Sequence, residues 1–226
     1  TVNAIFAITL SNPSSDSVTV NAATSNGTAS AASDYVSMGQ TPIAFAPGET
    51  AKTIAIVVGG DLLHEPDETF SVTLSNATNA TIFDGAGLGT ITNDDPMPTL
   101  AINDVSVLEG DSGVVSAVFT ISLSAASGQS ISATAATSDG SATAGSDYAA
   151  IAPTLVTFAP GVTTMPFPVS VNGDALNEVD ETFSLTLSGA LNATIADAVG
   201  VGQITNDDPV PTLSTADVSL SEGNSG

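Results

Sequence analysis

The fold predicted by this sequence is all-β: two tandem sandwiches of about seven strands each. Three observations predict it. First, the chain repeats at a fixed offset: Asp34-Tyr35 returns as Asp147-Tyr148, a shift of 147 − 34 = 113 residues. Phe45-Ala46-Pro47-Gly48 and Asn93-Asp94-Asp95 return at the same offset as Phe158-Ala159-Pro160-Gly161 and Asn206-Asp207-Asp208. One structural unit is therefore used in tandem. Second, apolar residues alternate with small or polar ones at the strand period of two. Third, turn dipeptides such as Asp139-Gly140, Pro160-Gly161 and Asn172-Gly173 punctuate the runs, and no stretch has a helical period.

The elements of the second unit follow in order. Thr99–Leu108 reads as an opening strand. Val114–Leu123 places Val115, Ala117, Phe119, Ile121 and Leu123 on one face, as Val2, Ala4, Phe6, Ile8 and Leu10 do in the first unit. Ser130–Thr137, Thr154–Phe158 and Thr164–Val171 are the next strands. Thr182–Leu187 points Phe183, Leu185 and Leu187 inward, and Val199–Thr205 closes the unit. On this reading residues 1–97 are a unit lacking its opening strand and 98–209 a complete unit. Residues 210–226 are the opening strand of a third, able to act as a donor strand to a neighbouring copy. The junctions Asp95-Pro96-Met97-Pro98 and Asp208-Pro209-Val210-Pro211 carry two prolines each, which makes short, stiff linkers.

Composition excludes several functions. Twenty-four acidic residues face one lysine, Lys52, for a formal charge of −23, which opposes nucleic acid or an anionic membrane as a direct partner. Cysteine is absent and histidine occurs once, so no disulfide, zinc site or cysteine nucleophile can be assembled. His64 alone would have to serve any Ser-His-Asp arrangement, and its counterpart is Asn177; it reads as an exposed loop residue. No tryptophan and two tyrosines offer little for stacking a sugar. These features predict a protein that is not an enzyme. The sequons at Asn26, Asn76, Asn79 and Asn192 read as chance matches in a Thr-rich chain. No run of about 18 apolar residues occurs, so this segment is expected to be soluble.

The acids are not scattered. In the second unit Glu109, Asp139, Asp174, Glu178, Asp180, Glu181, Asp207 and Asp208 fall at predicted strand ends beside turns. Alternate strand ends of an antiparallel sandwich share a pole, so these groups could meet. Carboxylates that close repel by about 4 kcal/mol per pair at an effective dielectric near 20, so the fold needs a cation or must protonate some of them. Oxygen-only donors suit a hard ion, and calcium accepts six to eight flexible oxygens. Asp147, before Tyr148, reads as a cap of backbone amides rather than a ligand.

The stretch from Thr137-Ser138-Asp139-Gly140 to Ser146-Asp147-Tyr148 resembles the signature segment of the Calx-beta domain. So do Phe158-Ala159-Pro160-Gly161, the run from Asp174-Ala175-Leu176 to Thr182-Phe183, and Asn206-Asp207-Asp208. The likeness covers both units. It implies an immunoglobulin-like sandwich that binds calcium at one tip, as in exchangers and large bacterial surface proteins. It implies Glu109, Asp139, Asp174, Glu178, Glu181, Asp207 and Asp208 as side-chain ligands, with the Leu176 carbonyl. In the first unit the matching set is Asp61, Leu63 (carbonyl), Glu65, Glu68, Asp94 and Asp95. Glu222 matches Glu109 in the third opener. The departures are Asn26 at the Asp139 position, the missing Glu109 match in the first unit, and Gly60 and Gly173 where sensing members often carry Asp. Roughly one to three ions per unit is the expectation. The implied function is a calcium-stiffened structural repeat of an extracellular adhesin, stalk or filament, its partners being calcium, neighbouring repeats and identical copies head-to-tail. The alternative is a regulatory calcium-sensing pair in a membrane protein.

Overall fold

The structure, a computed structural model, describes residues 1–224. The chain divides into two compact units, one over Thr1–Met97 together with Ala126–Gln129, and one over Pro98–Ala125 and the residues from Ser130 onward. Among the described residues all regular structure is strand.

The first unit contains β1 (Val2–Thr9), β2 (Val18–Asn26), β3 (Thr41–Phe45), β4 (Ala51–Val58), β5 (Glu68–Thr78) and β6 (Ala86–Ile91). They form a four-stranded sheet in the order β3-β2-β5-β6 and a two-stranded sheet of β1 and β4. The second contains β7 (Thr99–Ile102), β8 (Val105–Leu108), β9 (Gly113–Leu123), β10 (Ile131–Asp139), β11 (Thr154–Phe158), β12 (Thr164–Gly173), β13 (Glu181–Leu191), β14 (Thr194–Ile195) and β15 (Val199–Thr205). Its sheets run β11-β10-β13-β15-β8 and β12-β9-β7-β14.

The expected single opening strand Thr99–Leu108 is in fact two strands in different sheets. β7 pairs with β9 and β14, while β8 runs parallel to β15. Asn103-Asp104 makes the crossing. Asn103 Oδ1 accepts from Thr120 N at 2.6 Å and Asp104 Oδ1 accepts from Val201 N at 2.7 Å, so side chains satisfy amides left over where the strand changes sheets. This division, with the short β14, raises the count above the expected seven. The segment expected to open a third unit forms no strand up to residue 224; Ser225 and Gly226 lie outside the described residues.

Each core is built as the alternation requires. In the second unit Leu100, Ile102, Phe119 and Ile121 of one sheet face Ile131, Phe183, Leu185 and Ile204 of the other. Phe183 stacks on Tyr148 at 4.5 Å between ring centres and meets Phe119 edge-on at 5.9 Å. Phe70 does the same with Tyr35 at 4.5 Å and Phe6 at 5.7 Å. These aromatic groups anchor otherwise small-residue cores, each ring pair adding about 0.5–1.5 kcal/mol beyond its buried area. Gly202 is required here, because a Cβ would run into the Phe183 ring.

Candidate metal centre

The acidic groups of the second unit come from four chain segments that the fold brings to one pole. Glu109 follows β8, which lies along β15, and Asp207-Asp208 follows β15 itself. Parallel pairing therefore delivers Glu109 beside Asp207 and Asp208. Glu109 N donates to Thr205 O at 3.2 Å and Gly110 N to Asp207 Oδ1 at 3.0 Å. Gly110 sits at φ 78°, the left-handed turn that glycine adopts without strain. One carboxylate oxygen from each of Glu109, Asp207 and Asp208 lies within 4.8 Å of the others.

The loop Asp174–Asp180 is the third segment. Asp174 Oδ1 accepts from Leu176 N at 2.7 Å, closing the turn that bears the Leu176 carbonyl. Asn206 pins the loop: its Oδ1 accepts from Glu178 N at 3.1 Å, and its own N donates to Asp180 Oδ1 at 3.2 Å. Asp147, in the turn between β10 and β11, is the fourth, and with Glu178 and Glu181 it makes a second triplet within the same 4.8 Å limit.

The electrostatics show that these groups form one system. Burial pushes the Glu109 carboxyl above its usual range, and the charges of Asp174, Glu178, Asp208 and Asp207 push it further. Asp208 is raised by burial and then by Asp111, Asp207 and Asp174. Glu181 is raised to about 7 by burial first, then by the Asp147 carboxyl and the charges of Glu178 and Glu109. Glu109 and Asp208 are only 5% and 8% exposed. Glu109 Oε1 and Asp208 Oδ2 are buried without any hydrogen-bond partner. A buried, partnerless carboxylate oxygen costs several kcal/mol unless something positive meets it. Lys52 pairs with Glu49 at 2.8 Å, among the described residues the chain's single salt bridge, and Lys52 is also its single lysine. The donors are all hard oxygens, which fits calcium.

The first unit repeats part of this centre. Asp61 Oδ1 accepts from Leu63 N at 2.7 Å, Glu65 N donates to Asn93 Oδ1 at 3.0 Å, and Asn93 N donates to Asp67 Oδ1 at 2.9 Å. Asp34, Glu65 and Glu68 make the triplet that corresponds to Asp147, Glu178 and Glu181. Glu65 is raised by burial and by the charges of Asp61, Asp34 and Asp95, and Glu68 by burial and Asp34. Asp94 and Asp95 line an open cleft of about 440 Å³ with Asp61 and Leu63.

Several positions differ from the sequence reading. Asp139 Oδ1 accepts from Tyr148 OH at 2.6 Å and Ala144 N at 3.0 Å, and Asp139 is in neither triplet of its unit. Asn26 Oδ1 accepts from Tyr35 OH at 2.6 Å and Ala31 N at 3.1 Å, so the neutral residue does the same job. Asp147 does cap, its Oδ2 accepting from Thr143 N at 2.7 Å, yet it also joins the second triplet, as Asp34 does in the first unit. The recurrence of Asp34-Tyr35 as Asp147-Tyr148 was the signal for both roles, and the sequence reading used only the first. His64 is half-buried rather than exposed, with Nδ1 3.0 Å from Asp95 O; Asn177 Nδ2 donates to Asp208 O at 2.8 Å. The His-to-Asn exchange thus conserves one hydrogen bond that holds the Asp-Asp turn. Glu222 lies in the exposed strandless segment and belongs to none of the three carboxylate triplets.

Comparison with known proteins identifies the family of the chain. The model of the Calx-beta domain family matches residues 2–95 and 91–208. Extracellular matrix protein 3 of Lytechinus variegatus is 33% identical over 175 residues, covering 72% of this chain and 6% of that protein. Similar solved structures include CBD12 from CALX1.2, at 20% identity over 84% of this chain and 74% of that one, with a TM-score of 0.40. The apo form of the Calx CBD1 domain is 22% identical over 50% of this chain and 100% of that one, with a TM-score of 0.43.

Proposed function

The chain belongs to the Calx-beta domain family, and from that premise we propose that it is a calcium-stiffened structural repeat of an extracellular stalk, adhesin or filament. Calx-beta is a calcium-binding rather than a catalytic family, and we read this chain as non-catalytic. Calcium at the second unit's pole would be held by Glu109, Asp207 and Asp208, and beside them by Asp147, Glu178 and Glu181. Asp174 and the Leu176 carbonyl lie on the same loop. In the first unit Asp34, Glu65 and Glu68 would hold it, with Asp61, Leu63, Asp94 and Asp95 around the cleft. The ion would supply positive charge that the chain lacks; the residues supply oxygens and would fix four segments of the second unit to one pole.

The observation that carries this reading is the pair of buried, partnerless oxygens, Glu109 Oε1 and Asp208 Oδ2. Binding there ties the end of β8, the end of β15 and the Asp174–Asp180 loop together, next to the proline linker that starts at Pro209. A tied end and a stiff linker make a spacer. The extracellular placement rests on the likeness to an extracellular matrix protein. External calcium suits sites of roughly 10⁻⁴–10⁻³ M affinity. Copies would add head-to-tail, a heterologous contact that does not close.

Titration calorimetry with calcium tests the reading. Heat that saturates, and that Glu109→Gln with Asp208→Asn abolishes in the second unit, is expected. Absence of heat up to about 10 mM calcium, well above the affinity range of extracellular modules, would sink the proposal.

A further inference from the structure

The two units share strands but protect the edges of their sheets differently. In the second unit β12 is the outer strand of its sheet, paired with β9, and β7 and β14 lie on the far side of β9. Backbone groups of successive residues point alternately to the two sides of a strand. Ser170 O accepts from Ala149 N at 2.8 Å and Asn172 N donates to Asp147 O at 2.9 Å, so Ser170 and Asn172 face away from β9. Pro168 and Pro166 precede Ser170 in the same outward phase. They take nothing from the ladder with β9, and they leave that stretch of the outer edge without N–H groups.

β4 is the equivalent strand of the first unit, paired with β1 as β12 is with β9. Its outward phase is fixed in the same way. Val57 O accepts from Val36 N and Gly59 N donates to Asp34 O, both at 2.8 Å. Thr53 and Ala55 hold the places of Pro166 and Pro168. Both are exposed, and no turn or loop among the described residues accepts from either N–H. The other sheet shows the reverse, because Pro42 stands in β3 where β11 has Leu155. Each unit therefore carries proline in one of these two edges and not in the other. The longer proline-free edge is β4, with 8 residues against 5 in β11.

Composition and charge point to what meets this edge. Thr53-Ile54-Ala55-Ile56-Val57-Val58 is β-branched or small throughout, uncharged, and free of proline and glycine. Those are the properties of a segment that pairs with its own kind. The chain carries a formal charge of −23, yet no acid lies between Thr50 and Gly60. Two copies that meet here set no carboxylates opposite one another, the arrangement that destabilises paired strands. A basic partner would be drawn instead to the acidic poles.

We propose that the outer edge of β4 docks β4 of a second copy, the two strands running antiparallel about a two-fold axis at Ile54. Val57 O and Gly59 N are already engaged, so the register that uses the remaining outward groups sets Thr53 opposite Ala55 of the second copy, and Ala55 opposite its Thr53. Each such pair exchanges both of its N–H···O bonds. The strands β1-β4-β4-β1 then form one sheet across the two copies. The contact is isologous and closes at two copies, unlike a head-to-tail one. It holds two chains side by side, and it rests on the structural-repeat reading for its use but not for its geometry.

Sedimentation velocity on the full chain tests this, at up to about 1 mM protein and in salt that screens the acids. A monomer–dimer equilibrium is expected, and Thr53→Pro with Ala55→Pro should abolish it. The second unit carries that proline pair within an intact strand, Thr164–Gly173, so the fold has room for it. Amide exchange on the unsubstituted chain reads the register directly: the Thr53 and Ala55 N–H groups should slow as the dimer forms. Leu155→Pro, which copies Pro42 onto β11, should leave the dimer intact. A monomer at every concentration, a dimer that survives the proline pair, or unchanged exchange at Thr53 and Ala55 overturns the proposal. Loss of the dimer on Leu155→Pro overturns β4 of the second copy as the occupant, in favour of β11. Calcium heat without a dimer removes edge pairing alone, and a dimer without calcium heat removes the calcium reading alone.

Discussion

Phe119 and Phe6 hold equivalent places in the two units, yet Phe119 is fully buried and Phe6 is half-exposed. The same holds for Leu123 and Leu10. The strands around them are the same, and their aromatic clusters differ by a few tenths of an ångström. What differs is one divided segment, β7 and β8. Its presence closes both sheets of the second unit, buries Leu100 and Ile102, and brings Glu109 to the acids. In the first unit no strand corresponds to β14, and Asp94 and Asp95 line a cleft. A single opening segment thus couples core closure to ion binding, since its first half packs and its second half delivers a ligand.

The largest test of this comparison removes the packing half. Leu100→Ala is expected to cost about 2–5 kcal/mol. In scanning calorimetry it should lower a higher-melting transition, assigned to the second unit, and leave the first unit's transition in place. One transition that shifts as a whole would show that the units do not unfold separately.

Next in size is calcium. At a hundred times its dissociation constant an ion stabilises by about 2.7 kcal/mol. Chelation with EDTA should therefore lower both transitions, and the second more, because only that unit holds its Glu109. Equal shifts would remove the role assigned to Glu109.

The pH dependence is smaller and has a definite sign. Glu181 lies near 7 in the folded protein against 4.5 as its ordinary value. Folding thus takes up a proton: the group's favourable contribution is complete below about 4.5 and lost as pH rises through 7. Glu109, Glu65 and Glu68 shift in the same direction. In EDTA, acidifying from pH 7.5 to 5.5 should raise the melting temperature, and saturating calcium should cancel or reverse that gain. A fall in EDTA would contradict the crowding of these acids.

The smallest effect is expected for Asp139→Asn. Asn26 already accepts from Tyr35 and Ala31 as Asp139 does from Tyr148 and Ala144. Stability should change by less than about 0.5–1 kcal/mol, the scale of one neutral hydrogen bond. Calcium affinity of the second unit should stay nearly constant in calorimetry. A tenfold loss would return Asp139 to the ligand set.

Much of the fold was legible because its signals are local. Alternation along Val115, Ala117, Phe119, Ile121 and Leu123 needs only neighbours two residues apart, and the observed strand Gly113–Leu123 contains it. Turn dipeptides and the repeat offset marked where strands end. The acids were legible as a set for the same reason, since they recur beside those ends. Two sequons carried a structural message that composition hid. Asn79 and Asn192 adopt φ near 60° and donate Nδ2 to Ser17 O and Ser130 O, both at 2.9 Å, so each holds a turn in place.

What the sequence determined alone is the all-β unit, its tandem use, and a supply of carboxylates far exceeding any internal counter-charge. Tertiary structure alone decided which carboxylates meet, that Asp139 serves Tyr148 while Asp147 joins the acids, and that the opening segment divides between two sheets. Those outcomes depend on pairing between residues far apart in the chain, such as Gly110 with Asp207, 97 positions away. A period of two says which face of a strand is buried. It does not say which strand lies alongside, and that neighbour is what brings Glu109 to Asp208.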